Sequence, residues 1–496
     1  MTAGVRQEPR EAERPRTPRR PRLPTLLALL VGFAGVGYRL ALLLADAPPS
    51  NSDEATMGLA ALHIARGDDF PVWFYGQAYM GTLEAYLAAP LVAVAGPSVL
   101  VLRLPTLALY ALFLLLSWRL TRRLGGDRWY ALLVVAVLAL GADRVVKNQL
   151  IAGGGYPELN PAGAALALLT VALCGGGTGA RLPRWAAWGL VAGALLWVDP
   201  LILPYVLTLG ALLVAWRRRE LAGRAGAVLA GALLLGVAPM VLDNLRHGRN
   251  PLTAVLAASG SGTAAGWVER GHGGLVVGPP LALGFCSPGH CAPWQLWWAP
   301  VFLLLLLLAA FTAWRALRGP VPPSLADQRV SAGVRLALLA GAAAVLAAYA
   351  SSTAAGRTPL ESSRYLSCLA VAVPALLWPL WQAARPLAAR LPCRPHGPLT
   401  RRPARPARPD ARGVRGLDRH RQLGEVAASN PLGHPHLGEV APINGPGHRQ
   451  LGEVAASDPL GHRQLGEVAP INGPGHRQLG EVAASDPLGH RQLGEV

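Results

Sequence analysis

The sequence predicts an all-α polytopic membrane protein with about ten transmembrane helices, and three observations carry that prediction. First, 52% of its 496 residues are hydrophobic and only 15% are charged, where a soluble domain carries about 25% charged residues. Mean hydropathy is correspondingly positive, at +0.33. Second, windows such as "TLLALLVGFAGVGYRLALLLA" (25–45) and "APVFLLLLLLAAFTAW" (299–314) approach or reach the length that crosses hydrocarbon as helix. Third, such runs recur along most of the chain, which a cleavable signal peptide does not do.

Taken in order, residues 1–24 are rich in Arg and Pro and almost without apolar content, so they read as a disordered basic tail. Spans are expected at 25–45, 100–118, 129–143, 161–175, 185–198, 200–216, 225–242, 296–314, 333–350 and 365–382. Arginine assigns their sides. "RLTRRLGGDR" (119–128), "ARLPR" (180–184), "WRRRELAGR" (216–224) and "WRALRG" (314–319) fall on the face of the basic tail, which is therefore the cytoplasmic face. Loops 46–99, 143–160, 243–295 and 351–364 are then expected outside. That alternation holds if "TLEAYLAAPLVAVAG" (82–96), short and carrying Glu84 and Pro90, lies along the outer surface instead of crossing.

From residue 383 the composition changes. An Arg/Pro-rich linker (383–419) precedes near-perfect 14-residue repeats (420–496), "HRQLGEVAASNPLG", "HPHLGEVAPINGPG" and so on, with alternate copies matching best. Each unit offers one Leu and one Val among Gly, Pro and charges, too little to offset the entropy of ordering. The segment reads as an expanded repeat without a fold, and weak metal binding by its histidines is the less favoured reading.

The formal charge of +18 does not indicate nucleic-acid binding, because the excess arginine sits at the termini and in short loops between apolar runs. Lys147 is the only lysine. The five cysteines show no metal-finger spacing. Cys286 and Cys291 in "FCSPGHC" (285–291) could close a small loop or stay free.

The polar stretch "SNSDEATMGLAALHIARG" (50–67) after the first span reads as a short helix, N-capped by Ser50 or Asn51, with Met57, Ala61 and Ile64 on one stripe against the outer leaflet. Asp53 and Glu54 occupy its first turn. Acidic residues there stabilise a helix without any further role, so position alone leaves structural and catalytic readings equal. His63 reads as an exposed polar position. Arg39, inside the first span, is expected to snorkel outward. Trp73, Tyr75 and Tyr79 suit an interfacial aromatic belt better than sugar stacking.

Four segments together resemble the GT-C superfamily of membrane glycosyltransferases, which includes protein O-mannosyltransferases and aminoarabinose lipid A transferases. They are "SDEA" (52–55) after the first span, "ARGDDFPVWFYGQAYMGTLEAYL" (65–87), "VLRLPTLALYALFLLLSWRLTRRLGG" (101–126) and "SSRYLSCLAVAVPALLW" (362–378). "GGGYPE" (153–158) is also similar to a loop of these relatives, without an assignable role. The resemblance covers residues 25–382. It implies transfer of a sugar from a polyprenyl-phosphate donor to a glycan, lipid or protein acceptor at the outer face of the plasma membrane, by inverting displacement. By the same match, Asp53 is expected to be the base, with Glu54 orienting it or sharing a divalent metal, which is left open. Arg103 is expected to grip the donor phosphate and Arg364 to assist, because a guanidinium fork pairs phosphate oxygens. Lys147 and Arg144 add positive potential or merely anchor. The rival readings are a transporter or lipid flippase, against which the absence of internal symmetry counts, and a catalytically inactive relative.

Overall fold

A computed structural model of the protein describes residues 22–175, 181–250, 253–254, 265–287, 289, 291–319, 326–390, 484–485 and 491–492. All but the last three residues of the basic tail, most of the Arg/Pro linker and nearly all of the repeats lie outside them. Ten helices run in order from α1 (Leu23–Leu44) through α2 (Ser52–Arg66), α3 (Leu83–Ala95), α4 (Val99–Arg123), α5 (Arg128–Ala139) and α6 (Asp143–Leu150). They continue through α7 (Tyr156–Cys174), α8 (Leu182–Val198), α9 (Leu203–Leu221) and α10 (Arg224–His247). Helices Trp298–Arg318 and Ala326–Ser351 follow, then a tight 3-10 run, Ser363–Ala372. Strand structure among the described residues amounts to a two-residue ladder, Ala484–Ser485 with Arg491–Gln492, and one bridge, Trp73 with Gly81. A last helix, Trp378–Arg390, belongs to a second compact unit and extends through the first residues of the expected linker.

Eight of the ten expected spans are helices long and apolar enough to cross a membrane. The two that fall short are α8, with 17 residues, and α5, with 12. α5 is joined to α6 through an 88° bend, and the bent pair counted as one span makes nine. Large apolar side chains such as Phe33, Leu234, Leu304 and Leu307 stand exposed on the spanning helices, a surface suited to lipid and not to water. The protein is a multi-pass α-helical membrane protein.

Local sequence explains where the elements start and meet. Asn51 caps α2 by accepting the Glu54 amide at 3.0 Å, Ser98 caps α4 at Val101 (3.2 Å), and Asp127 caps α5 at Tyr130 (2.8 Å). α8 and α10 pack through Gly189, Gly193 and Gly236, where an added Cβ would strike the backbone of the facing helix. Small residues four apart are the usual means of bringing membrane helices together.

Three expectations change in this light. α3, at about 1.5 Å per residue, is roughly 20 Å long, shorter than a hydrocarbon core of about 30 Å, and it packs against α2 and α4 and buries Glu84 instead of lying free on a surface. The stripe of α2 faces protein: Met57 and Ala61 are fully buried in a cluster with Ala85, Ala88, Val92 and Leu102, and Ile64 packs on its edge. Arg39 does not snorkel, because the surface it faces is polar protein backbone. Its Nε donates to the Gln149 amide at 2.9 Å, Nη1 donates to the carbonyls of Gly35 and Ala139, and the guanidinium lies 3.9 Å from the Tyr110 ring centre. It thereby braces α6 at the bend.

Candidate active site

Consecutive residues on a helix point about 100° apart, and the first turn of α2 uses that angle to separate its two carboxylates. Glu54 turns inward. Its Oε1 accepts from Arg103 Nε at 2.7 Å and its Oε2 from Arg103 Nη2 at 2.6 Å. The Ala152 amide also donates to Oε1 at 3.4 Å, and Arg103 Nη1 donates to the Pro48 carbonyl at 2.8 Å. With Arg103 1% and Glu54 0% exposed, this is a sealed bidentate pair. The phosphate role expected of Arg103 is therefore revised: all three of its nitrogens are engaged inside the protein. The metal shared by Asp53 and Glu54 does not fit either, since both Glu54 oxygens face a guanidinium. Among the described residues no three metal-ligating side chains converge.

Asp53 turns the other way, half-buried, with Oδ2 3.4 Å from Nη1 of Arg364. Arg364 is the second residue of the 3-10 run and sits beside the rings of Tyr156 and Tyr365. Both residues line a cavity of about 280 Å³, together with Arg144, Lys147 and Asn148 of α6, Tyr156 and Glu361. Positions 144, 147 and 148 share one helix face by spacing, while the opposite face of α6 buries Val146, Gln149 and Leu150. So the two cations that could have been plain anchors in a loop are set on a helix face that Arg39 holds in place. The Nε atoms of Arg144 and Arg364 are buried without a hydrogen-bond partner. Three cations against two carboxylates, with unmet donors, make a site for an anion.

Behind the cavity lies an arrangement the sequence reading missed. Gly154 and Gly155 have φ of 114° and 87°, and their amides donate to the two oxygens of Glu84 at 3.1 and 3.0 Å. Any side chain at Gly154 would meet Met80, and one at Gly155 would meet Val198. Glycine supplies both the positive φ and the space. Half of a signal was present: a Gly-Gly-Gly turn in a buried setting leaves amides that need an acceptor, but nothing local points to Glu84, some seventy positions earlier. Burial raises the Glu84 carboxyl above the ordinary carboxylate range, opposed by the two amides and by a hydrogen bond with Glu158, the buried carboxyl with which it shares its titration. It likewise raises Asp199, which caps the turn into α9 by accepting the Leu201 amide, to about 7.

Those raised values fix a pH dependence of stability. Between the ordinary carboxylate range and about pH 7 the folded protein holds protons the unfolded chain has lost, so stability falls as pH rises through that window. The thermal midpoint in detergent is expected to drop from about pH 5 to about pH 8, and Glu84→Gln to flatten the slope. An unchanged slope in that variant would remove Glu84 from the account.

The loop between α2 and α3 is pinned on several sides. Trp73 is buried, not in an interfacial belt, and its Nε1 donates to Asp243 Oδ2 at 2.7 Å; Asp243 Oδ1 in turn meets His247 (2.9 Å) and Arg249 (3.0 Å). Trp197 Nε1 donates to the Val72 carbonyl, and the Gly81 amide to that of Val198. Tyr75 bonds Asp69 and His63, so His63 is partly buried and partnered. Tyr79 is half-buried. Cys286 and Cys291 are joined in a disulfide.

No protein-family model matches the chain, and no curated protein matches it. Among solved structures it is similar to ArnT from Cupriavidus metallidurans, crystallised bound to undecaprenyl phosphate, with a TM-score of 0.46 and 15% identity. The match covers 74% of this chain and 63% of that one, so the chain spans less than two thirds of that protein's length.

Proposed function

We propose that the protein is a membrane glycosyltransferase that moves a sugar from a polyprenyl-phosphate donor to an acceptor by inverting displacement. One observation carries the reading: Asp53 and Arg364, 311 positions apart, meet at one cavity with two further cations. The acceptor oxygen forms the new bond to the anomeric carbon while the bond from that carbon to the phosphate oxygen breaks. The electron pair leaves with the phosphate, and the acceptor proton goes to Asp53 as general base. Arg364, with Arg144 and Lys147, holds the departing phosphate; Arg103 and Glu54 act beneath as a positioning pair. The arginine-rich helix ends on the opposite face and the disulfide in the loop before Trp298 support placing the cavity on the extracytoplasmic side of the plasma membrane.

The test is a membrane preparation of the protein given radiolabelled polyprenyl-phosphate sugar. Label appearing in an envelope glycan, lipid or protein fraction supports transfer. Label that crosses sealed vesicles still attached to its lipid overturns it in favour of a flippase, and label that does neither indicates an inactive relative.

A further inference from the structure

A second cavity, of about 600 Å³, lies at the other end of α4, between its last turns and the C-terminal half of α7. Arg119 is 16 positions beyond Arg103, about 24 Å along the helix, so this cavity stands nearly a hydrocarbon thickness away from the candidate active site. Its lining is of two kinds. Trp118 with Leu168, Leu169 and Ala172 forms an apolar wall, and the guanidiniums of Arg119, Arg122 and Arg123 form a cationic rim.

Basic residues at such a helix end serve topology and the helix dipole whether or not anything binds. The neighbouring basic end argues that more is present here. There, Arg181 and Arg217 both pair with Glu220, at 3.0 and 3.4 Å, and Arg218 and Arg219 stand exposed, on the α9 surface. At the α4 end Arg122 donates to the Gly126 carbonyl at 2.6 Å, while the side chains of Arg119 and Arg123 meet no hydrogen-bonding or ion-pairing partner among the described residues. Two guanidiniums without a partner among the described residues and a third held by a backbone carbonyl, beside an apolar wall at headgroup level, match a molecule that is anionic at one end and hydrocarbon at the other.

We propose that this groove binds an anionic phospholipid of the leaflet on that side, its phosphate between Arg119 and Arg123 and its acyl chains along Leu168 and Leu169. The full-length protein in detergent is titrated with phosphatidylglycerol and, separately, phosphatidylcholine, and bound lipid is counted by native mass spectrometry. Wild type is expected to retain one phosphatidylglycerol in preference to phosphatidylcholine. R119Q/R123Q should weaken it roughly 25-fold, about fivefold per guanidinium, and R218Q/R219Q, at the neighbouring end, should change nothing. Leu169→Trp, which fills the cavity and keeps every charge, should release the lipid too. The proposal is overturned if R218Q/R219Q weakens binding as much as R119Q/R123Q, which is diffuse attraction. Lipid kept by a folded Leu169→Trp protein, or inorganic phosphate binding as tightly as the lipid, overturns it as well.

Discussion

Asp53→Asn is expected to reduce sugar transfer by about 10²- to 10⁴-fold, the range a positioned general base contributes, while leaving the thermal midpoint nearly unchanged. The two halves of that expectation come from different properties of one side chain. Asparagine keeps the shape of aspartate and an oxygen for Arg364, but it cannot accept the acceptor's proton. Stability is spared because Asp53 and Arg364 are 32% and 36% exposed and 3.4 Å apart, and pairs of that kind contribute about 0–1 kcal/mol. The measurement is initial rate in membranes at saturating donor, beside a melting curve of the purified variant. Wild-type turnover in the variant would remove Asp53 from the chemistry. A rate lost together with the melting transition would make it a structural residue.

How much of this was legible in the sequence depends on the range of the physics involved. The helices were, because apolar runs of spanning length need no tertiary information; eight of the ten expected spans are full-length helices. The N-cap was legible to within one residue, Ser50 or Asn51, since capping is settled within three residues, and Asn51 is the one that accepts the Glu54 amide. The partition of "DE" was not. Which of two adjacent carboxylates faces protein depends on how α2 is rotated against α4, and that rotation is set by Met57 and Ala61 packing on α3. Arg103 and Arg364 were both placed at the outer ends of apolar runs. Only the fold shows that Arg103 has a carboxylate waiting behind it and Arg364 has a cavity before it. Arg39 failed similarly: snorkelling assumes lipid around the side chain, whereas α5, α6 and Tyr110 surround it. Glu84 was hidden because its partners, Gly154 and Gly155, lie about seventy positions away.

The neighbouring carboxylate should behave in the opposite way. Glu54→Ala leaves the Arg103 guanidinium buried with no counter-charge, and breaking one side of a buried pair costs about 3–5 kcal/mol, a large part of the roughly 5–15 kcal/mol that holds a domain together. Arg103→Met strands the Glu54 carboxylate with only the distant Ala152 amide and should cost a similar amount. Combining Glu54→Leu with Arg103→Met removes both charges from the same space and should recover much of the loss, because desolvating the pair offsets much of its attraction. A double-mutant cycle on melting in mild detergent therefore reads a large coupling, and additive losses would show that the two side chains act independently. Transfer activity supplies the second readout. The pair ties the first turn of α2 to α4 and to the Pro48 carbonyl, which fixes where Asp53 points one residue earlier. Activity in these variants should accordingly fall with stability and return in part with the double substitution. In Asp53→Asn no second-site change at Arg103 can restore it, because what is missing there is the proton acceptor itself.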